Sequence, residues 1–375
     1  MTGKERREIR YQRRKAAREA KKKEKYSLYD DYARIIDPNN LYQAFKKSKR
    51  GVGWKESTQR YEMNWLLNIA ETRRKLAAGE NVQHGFVEFD VRERGKIRHI
   101  KSVHISERVV QKTLCDQVLV PILSHPLIYD NGASLKDKGL HFALRRVIAH
   151  LSKYYRQNGR SNRGYVLTID FKKYFDTINH DILLDHVKRY IRDKMVLALL
   201  TDFIKVFGDT VSLGLGSQVS QICAVFNPNP LDHDIKGKRR VKYYGRYMDD
   251  LYLIHHDRAY LKYCLDEIRK ICEGLGITIN LKKTRITKLS DGFVFLKGKY
   301  ILLENGKVIR KPDKAAGKRE RRKLKKFKGL LEREKIHYSD IRTAYQSWRN
   351  NFMKRFDAYH TVRRIDLLYN RLFIA

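Results

Sequence analysis

The chain has 375 residues, 42% of them hydrophobic, and its 81 lysines and arginines outnumber 42 acidic residues to leave a formal charge of +39. A chain of this length can bury a substantial core in two or three subdomains, and the charge exceeds what solubility requires, so we expect a polyanionic partner. No apolar run reaches the ~18 residues of a membrane-spanning helix and we expect no secretory leader, which predicts a cytoplasmic protein without a membrane partner.

The N-terminal 25 residues are almost entirely lysine, arginine, glutamate and alanine. High helix propensity without an apolar stripe predicts a solvated helix, or a tail that becomes ordered on RNA. A tail that only increases solubility is the alternative.

Two amphipathic helices are predicted within residues 40–79, joined by the basic link 47–51. Their buried faces are expected to carry Leu41, Ala44, Phe45, Tyr61, Trp65, Leu66 and Ile69. Residues 86–98 then predict a basic hairpin, with a turn near Gly95. Since the arginine fork matches phosphate geometry, this hairpin is a candidate triphosphate site, and a solvated charged turn is the alternative.

The middle of the chain alternates helices with one apolar strand. Helices are predicted at 105–121, 140–155, 181–190 and 193–207, and a β-branched strand at 165–171 carries Asp170 near its end. A glycine-rich motif, Gly214-Leu215-Gly216-Ser217-Gln218-Val219-Ser220-Gln221, follows, and prolines 228 and 230 should break a helix. The four separated cysteines, which include Cys115 and Cys223, form no Cys-x-x-Cys pair and predict reduced core thiols.

Tyr247-Met248-Asp249-Asp250 lies between apolar runs at 241–244 and 251–254. This pattern predicts a hairpin with two adjacent carboxylates at its turn, which are unfavourable together unless a cation compensates them. Asp170 would add a third carboxylate on a neighbouring strand. Three such groups can hold two Mg²⁺ ions for in-line nucleotidyl transfer. A surface turn is the alternative for the pair alone.

The C-terminal part predicts a helix at 261–274, a strand at 277–281 and a hairpin that begins at 293–296. Residues 310–331 are densely basic, and 339–372 have helical periodicity.

These motifs together resemble those of reverse transcriptases. The YMDD sequence, the preceding Leu167-Thr168-Ile169-Asp170-Phe171-Lys172-Lys173-Tyr174-Phe175-Asp176 and the glycine-rich motif between them occur in the family's order and spacing. The resemblance implies an α+β right-hand polymerase with an antiparallel palm sheet and a helical thumb. It divides the chain into a basic extension (1–39), fingers (40–164), a palm (165–300, with a fingers insertion at about 190–213) and a thumb (301–375).

The resemblance also implies a role for each matched residue. Asp170, Asp249 and Asp250 would be catalytic and would hold two Mg²⁺ ions, replaceable by Mn²⁺, together with Phe171. The nucleotide would contact Lys96, Arg98, Phe175, Leu215, Gly216, Gln221 and Lys283. The template or primer would contact Tyr247, Met248, Ser220, Phe295 and Leu296. The partners would be an RNA template, its RNA:DNA hybrid and dNTPs, with an accessory RNA-binding protein or a second copy left open.

Template-directed RNA polymerases share this palm, and the residue five positions after Asp170 distinguishes the two classes. RNA polymerases of this fold commonly place Asp there to bind the ribose 2′-hydroxyl, whereas this chain has Phe175. A bulky ring repels that hydroxyl, which predicts selection of dNTPs.

Among reverse transcriptases, Leu215 before Gly216 and the ending Ser220-Gln221 are similar to those of diversity-generating retroelements. Gly214 departs from the proline usual there, and the basic N-terminus is not a hallmark of that group. Antiphage-defence or prophage enzymes that use a dedicated non-coding RNA remain the alternative. A catalytically degenerate RNA-binding scaffold is the alternative from another functional class.

Overall fold

The computed structural model describes residues 2–93 and 96–374. It divides into two compact units. The first unit comprises Met1–Ile128, Lys172–His233 and Lys270–Thr278, and the second comprises Tyr129–Phe171, Asp234–Arg269 and Ile279–Ala375. The division into extension, fingers, palm and thumb stays a prediction.

The described elements confirm the α+β class. The helices are α1 (Gly3–Ser27), α2 (Ala33–Ile36), α3 (Pro38–Ser48), α4 (Glu56–Met63), α5 (Trp65–Ala77), α6 (Ile105–Leu114), α7 (Val120–Leu123), α8 (Leu140–Gln157), α9 (Tyr174–Thr177), α10 (His180–Val187), α11 (Lys194–Lys205), α12 (Gln218–Phe226), α13 (Asn229–His233), α14 (Arg258–Gly274), α15 (Ala316–Leu331), α16 (Tyr338–Arg355) and α17 (Tyr359–Phe373). Two π-helical segments occupy Cys115–Leu119 and Asp234–Lys238.

Antiparallel strands form the sheets. The strands are β1 (Phe86–Glu93), β2 (Lys96–Val103), β3 (Tyr165–Asp170), β4 (Tyr243–Tyr247), β5 (Asp250–His255), β6 (Arg285–Lys288), β7 (Phe293–Phe295), β8 (Gly298–Leu302) and β9 (Val308–Pro312). They pair as a hairpin β1-β2, a four-stranded sheet in the order β4-β5-β3-β6 and a three-stranded sheet β7-β8-β9.

Residues 38–77 of the first unit form three helices, where the sequence predicted two. The Asp37 side chain caps α3 by accepting from Asn40 N at 2.8 Å, and Pro38 occupies the first turn. Asn64 then leaves the helical region at φ −116°, ψ 32° and separates α4 from α5. After this break Trp65 is 36% and Leu66 64% exposed, so their predicted places on the buried face were wrong.

The basic N-terminus is helical, as predicted, and its base is fixed to the first unit. Tyr26 is buried, and its hydroxyl lies 3.2 Å from His125 Nδ1. Asp30 accepts from the backbone N–H of Arg192 at 2.6 Å, and Asp193 accepts from that of Tyr32 at 2.8 Å. These two side-chain-to-backbone hydrogen bonds fix the segment that follows α1 to residues 192 and 193 of the first unit. Binding of RNA by α1 stays a prediction.

The four-stranded sheet of the second unit packs against α8. Its core includes Leu144, Val147 and Leu151 of α8 together with Val166 of β3 and Ile254 of β5. The predicted strand at 277–281 was wrong, since only a single bridge joins Ile279 to Phe171 there. The strand that pairs with β3 is β6, which begins at Arg285 opposite Thr168.

Three helices, α15, α16 and α17, complete the second unit. Leu324, Ile341 and Ile365 are buried between them, and the rings of Tyr345 and Tyr369 stack at 4.1 Å. The helical periodicity of residues 339–372 is therefore confirmed, as α16 and α17. The helix break predicted at residues 227–230 is confirmed between α12 and α13.

All four cysteines are free and buried, as predicted. Across residues 2–93 and 96–374, no helix combines the length and the apolar character needed to cross a membrane.

A buried ion network behind the four-stranded sheet joins distant parts of the second unit. Asp130 accepts from Arg146 Nε at 2.5 Å and from Lys236 Nζ at 2.9 Å, while Arg146 Nη2 lies 3.0 Å from His150 Nε2. His150 Nδ1 lies 2.9 Å from the Tyr252 hydroxyl on β5. Burial alone would raise the pKa of Asp130, but bonds from His150, Arg146 and Lys236 outweigh it and hold that pKa well below its usual range.

We expect Asp130→Asn to lower the free energy of unfolding by about 3–5 kcal/mol, because Arg146 and Lys236 would lose their buried counterion. Urea denaturation at neutral pH measures the loss. The lowered pKa means that the wild-type contribution is present above the unfolded pKa of ~4 and is lost as the pH falls below it. Asp266→Asn is the control, since its ion pair with Arg269 is exposed and should contribute less than about 1 kcal/mol. Equal losses in the two variants would contradict the expectation.

Candidate active site

Two carboxylates lie opposite each other at one edge of the four-stranded sheet. β3 ends at Asp170 and β5 begins at Asp250, and these residues are paired in the antiparallel register. Asp249 lies in the turn between β4 and β5, and its carbonyl accepts from Phe171 N at 3.3 Å. The hairpin predicted around the YMDD sequence is therefore confirmed, and all three carboxylate residues belong to the second unit.

The tight β4–β5 turn depends on a buried arginine. Met248 adopts a left-handed φ of 53°, which few residues other than glycine adopt readily. Arg246 is 1% exposed, and its Nη1 donates to the Met248 carbonyl at 3.1 Å. Its backbone N also donates to the carbonyl of Asp130 at 3.1 Å. These two hydrogen bonds of Arg246 fix the turn that carries Asp249 and Asp250.

Asp170 already has a cation beside it. Lys283 Nζ lies 2.8 Å from each carboxylate oxygen, and Asn280 Nδ2 donates to Oδ2 at 3.1 Å. Asn280 also donates its backbone N–H to the Asp170 carbonyl at 2.8 Å. The hydrogen bonds that Lys283 donates to Asp170 raise the pKa of Lys283, so the ammonium stays charged at neutral pH.

The surroundings of Asp250 disfavour its charged form. Burial, followed by the charges of Asp249 and Asp170, raises the pKa of Asp250 to about 7, although Lys283 and Lys297 act in the opposite direction. Burial is the largest cause of this shift, and the two neighbouring carboxylates add to it, so the ionised form of Asp250 is disfavoured.

Within the part of the chain that the structure describes, no three His, Cys, Asp or Glu side chains are grouped closely enough to hold a metal ion. The donor chemistry nevertheless fits Mg²⁺, which prefers carboxylate oxygens, and the raised pKa of Asp250 marks a site where added positive charge is favourable. Asp170, Asp249 and Asp250 are the residues that would hold it, and Lys283 would share the Asp170 carboxylate with it.

The glycine-rich motif and Phe175 come together in the first unit. Phe175 is half-buried on α9, its ring lies 5.9 Å from that of Tyr174, and its carbonyl accepts from Leu213 N at 2.9 Å. Tyr174 is buried, and its hydroxyl donates to the carbonyl of Ala224 at 2.7 Å. The backbone that carries Phe175 is therefore held by the residues that flank the motif.

Close backbone approach explains the two glycines of the motif. A Cβ on Gly216, at φ 119°, would lie 2.8 Å from the Lys101 carbonyl of β2, and one on Gly214, at φ 61°, would lie 1.9 Å from the Phe207 ring. Leu215 between them is half-buried, and its carbonyl accepts from Lys101 N at 3.4 Å. The motif is thus bound directly to the β1–β2 hairpin.

The other predicted contacts differ in exposure. Ser220 is buried and donates its hydroxyl to the Leu213 carbonyl, while Gln221 is exposed. In the second unit, Phe295 is buried and packs edge-on against Tyr252, and Leu296 lies at φ 48° in the β7–β8 turn. Tyr247 and Met248 are half-buried. Lys96 and Arg98 lie on β2, and their side chains are outside the described part of the chain. The binding roles of these two residues and of the other predicted contact residues stay predictions.

The contact of Asn280 with Asp170 was not predicted from the sequence. Asn280 interrupts the apolar run 277–281, and its carbonyl accepts from the backbone N–H groups of Lys283 and Thr284, both at 3.0 Å. A polar residue three positions before Lys283 was the available signal, because such a residue can close the turn that aims the lysine at Asp170.

Comparison with known proteins places the motifs in one family. Residues 89–329, more than half of the chain, match the family model described as reverse transcriptase (RNA-dependent DNA polymerase). The protein YkfC of Escherichia coli K12 is 27% identical over 248 residues, which cover 54% of this chain and 62% of YkfC. The chain thus spans less than two thirds of that relative's length.

Solved structures of telomerase are also similar. Telomerase from Candida albicans, in complex with a fragment of telomeric RNA, matches with a TM-score of 0.49 at 12% identity, over 67% of this chain and 51% of that one. Apo telomerase from Candida tropicalis matches with a TM-score of 0.44 at 12% identity, over 83% of this chain and 64% of that one.

Proposed function

Because this chain belongs to the reverse transcriptase (RNA-dependent DNA polymerase) family, we propose that it copies RNA into cDNA within a diversity-generating retroelement. The polymerase activity and the right-hand α+β fold follow from the family. The observation that carries the catalytic proposal is the pairing of Asp170 with Asp250 in the sheet register, with Asp249 in the adjoining turn.

Reverse transcriptases use divalent metal ions, typically Mg²⁺. In this chain Asp170, Asp249, Asp250 and the carbonyl of Phe171 would hold two Mg²⁺ ions, with Mn²⁺ as a substitute. When bound, the ions supply the positive charge that favours ionisation of the primer 3′-hydroxyl and neutralises the triphosphate.

The chain's own residues orient the reactants. Lys283, held at 2.8 Å from Asp170 by the turn at Asn280, would stabilise the charge of the departing pyrophosphate or donate a proton to it. Lys96 and Arg98 would bind the triphosphate, and Phe175 would exclude a 2′-hydroxyl. Gly216 and Gln221 would lie along the nucleotide. Tyr247, Met248, Ser220, Phe295 and Leu296 would position template and primer.

The proposal of diversification rests on Leu215. Enzymes with glutamine at this position can reach the nascent pair with a polar amide, whereas leucine offers only bulk and makes no hydrogen bond. A polar contact of this kind is worth about 1–3 kcal/mol, which corresponds to roughly ten- to hundredfold changes in error. Leu215 is half-buried, and its backbone is fixed because its carbonyl accepts from Lys101 N of β2, Gly216 lies against the Lys101 carbonyl and Gly214 lies against the Phe207 ring. A longer side chain at this position would therefore alter recognition more than folding.

We therefore expect frequent misincorporation by the wild type, concentrated opposite template adenines, and an error rate about tenfold lower in Leu215→Gln. Sequencing of cDNA made on a defined RNA measures both. Leu215→Met, which keeps an apolar side chain of similar volume, is the control and should retain the wild-type error rate.

Accurate synthesis by the wild type would remove diversification as the role. The alternative would then be an antiphage-defence or prophage reverse transcriptase that uses a dedicated non-coding RNA. The 25-residue basic helix α1, fixed to the first unit by Tyr26 and Asp30, favours that alternative, because it offers a positively charged surface for a structured RNA.

A further inference from the structure

A buried carboxyl group lies in the first unit, on the first turn of α6. Glu107 is 2% exposed; its Oε2 accepts from the His84 backbone N–H at 3.2 Å, and its Oε1 accepts from Gln111 Nε2 at 2.9 Å. Burial raises the pKa of Glu107, although these two hydrogen bonds act in the opposite direction. In the part of the chain that the structure describes, no lysine or arginine is paired with this carboxylate. A buried carboxylate is stable only with its hydrogen bonds in place, so Glu107 fixes the positions of His84 and Gln111.

Gln111 links this carboxylate to the glycine-rich motif. An ionised carboxylate only accepts hydrogen bonds, so Nε2 of Gln111 must face Glu107 and its Oε1 must face away. That oxygen accepts from the Ser217 hydroxyl at 3.0 Å. Gln111 is 2% and Ser217 1% exposed, so water does not replace either partner. The charge of Glu107 thus determines which atom of Gln111 meets Ser217.

Ser217 is the N-cap of α12, which begins directly after the motif's two glycines. Its oxygen accepts from Ser220 N at 3.3 Å, while its single hydroxyl proton is donated to Gln111. Leu215 and Gly216 immediately precede Ser217 in the chain. The bond from Ser217 to Gln111 therefore restricts where the backbone of these two proposed nucleotide contacts can lie.

The same carboxylate also holds the chain where it enters the β1–β2 hairpin, because His84 lies two residues before β1. The second strand of that hairpin is bonded to the motif, since Lys101 N donates to the Leu215 carbonyl at 3.4 Å. Glu107 is therefore connected, directly or through Gln111, to both segments that the proposed function assigns to the incoming nucleotide.

We propose that Glu107 and Gln111 are positioning residues for the incoming nucleotide. They act through His84 and Ser217, which fix the hairpin and the motif in one relative arrangement, and not by contact with the substrate. An apolar side chain in place of Gln111 would fill the same space but leave the Ser217 hydroxyl without its acceptor, so the motif would be less precisely placed. The inference rests on the proposed function, since that function assigns the motif to nucleotide binding.

The main test is primer extension by the full-length chain carrying Gln111→Met, because methionine has a similar length and lacks the amide. We expect the KM for dNTP to rise about tenfold, while kcat per active enzyme changes by less than about twofold. Thr113→Val is the matched control. Thr113 is buried on the same helix, and its hydroxyl donates within that helix, to the Val109 carbonyl at 2.9 Å. This control should keep the wild-type KM.

Ser217→Ala removes the same link from the side of the motif and should raise the KM to a similar extent. Because Gln111 and Ser217 act through one hydrogen bond, the double variant should lose little more kcat/KM than either single variant. If Gln111→Met does not accumulate as folded protein, Ser217→Ala alone decides the outcome against the Thr113→Val control.

A KM for dNTP that stays at the control value in Gln111→Met and in Ser217→Ala would overturn the proposal. A lower melting temperature with an unchanged KM would do the same, since it would show that the network only stabilises the fold. Losses that multiply in the double variant would mean that the two residues act separately. If the wild type extends a primer on RNA, any of these results contradicts the positioning role alone. If the wild type does not extend the primer, the proposed function fails.

Discussion

Asp249→Asn is expected to reduce DNA synthesis on a primed RNA template by about a thousandfold or more. The substitution keeps the size of the side chain and removes one negative charge from the edge formed by Asp170, Asp249 and Asp250. Electrostatic stabilisation by a metal site is worth several kcal/mol, and every ~1.4 kcal/mol is a factor of ten in rate. Single-turnover primer extension with saturating dNTPs and Mg²⁺ measures the loss.

Binding of the primer–template should be nearly unchanged, because the substitution removes no cation. Asp291→Asn is the matched control, since Asp291 is an exposed residue of the same unit and should leave synthesis at the wild-type level. Residual synthesis by Asp249→Asn near that of the control would refute the catalytic assignment. It would favour the alternative of a degenerate, RNA-binding palm.

Phe175→Val is expected to raise the incorporation of ribonucleotides relative to deoxyribonucleotides by roughly ten- to hundredfold. The Phe175 carbonyl is held by Leu213 N at 2.9 Å, and the adjacent Tyr174 is buried and hydrogen-bonded to Ala224. The backbone should therefore stay in place when the ring is removed, so that the substitution opens space where a 2′-hydroxyl would lie. Competition between one rNTP and its dNTP during primer extension gives the ratio directly.

Phe175→Tyr keeps the bulk of the ring and should retain discrimination against ribonucleotides. The absolute rate with dNTPs provides a second control, since it reports on damage that is unrelated to the sugar. An unchanged ratio in Phe175→Val would mean that another residue excludes the 2′-hydroxyl.

The pairing of Asp170 with Asp250 at one edge of the sheet could be predicted because its signal is local. Apolar strands that end on Asp170 or begin at Asp250 can be seen in a short stretch of sequence, and antiparallel pairing brings such ends together. Residues 277–281 carry the same apolar pattern and still do not form a strand. There the Asn280 N–H donates to the Asp170 carbonyl, and the Asn280 carbonyl accepts from the N–H groups of Lys283 and Thr284. Strand propensity does not include such tertiary hydrogen bonds.

The ion network around Asp130 had no such signal. Directly bonded members such as Asp130 and Lys236 are 106 residues apart in the sequence, and each charge taken alone fits an ordinary surface position. Leu66 illustrates the opposite case, because its apolar character matched a buried face until a break at Asn64 changed the phase of the helix. The ion network and the exposure of Leu66 both depend on the folded structure and cannot be inferred from the local sequence pattern.

The contact of Lys283 with both oxygens of Asp170 has a consequence for folding. Because the lysine supplies a resident counter-charge, the chain can bring its acidic strand ends together without first capturing a metal ion. The folded state should therefore survive chelation. EDTA is expected to stop DNA synthesis while leaving the melting temperature nearly unchanged, and added Mg²⁺ should restore synthesis without a refolding step. The enzyme would then lose its activity when the ion is removed and regain it when the ion is added back.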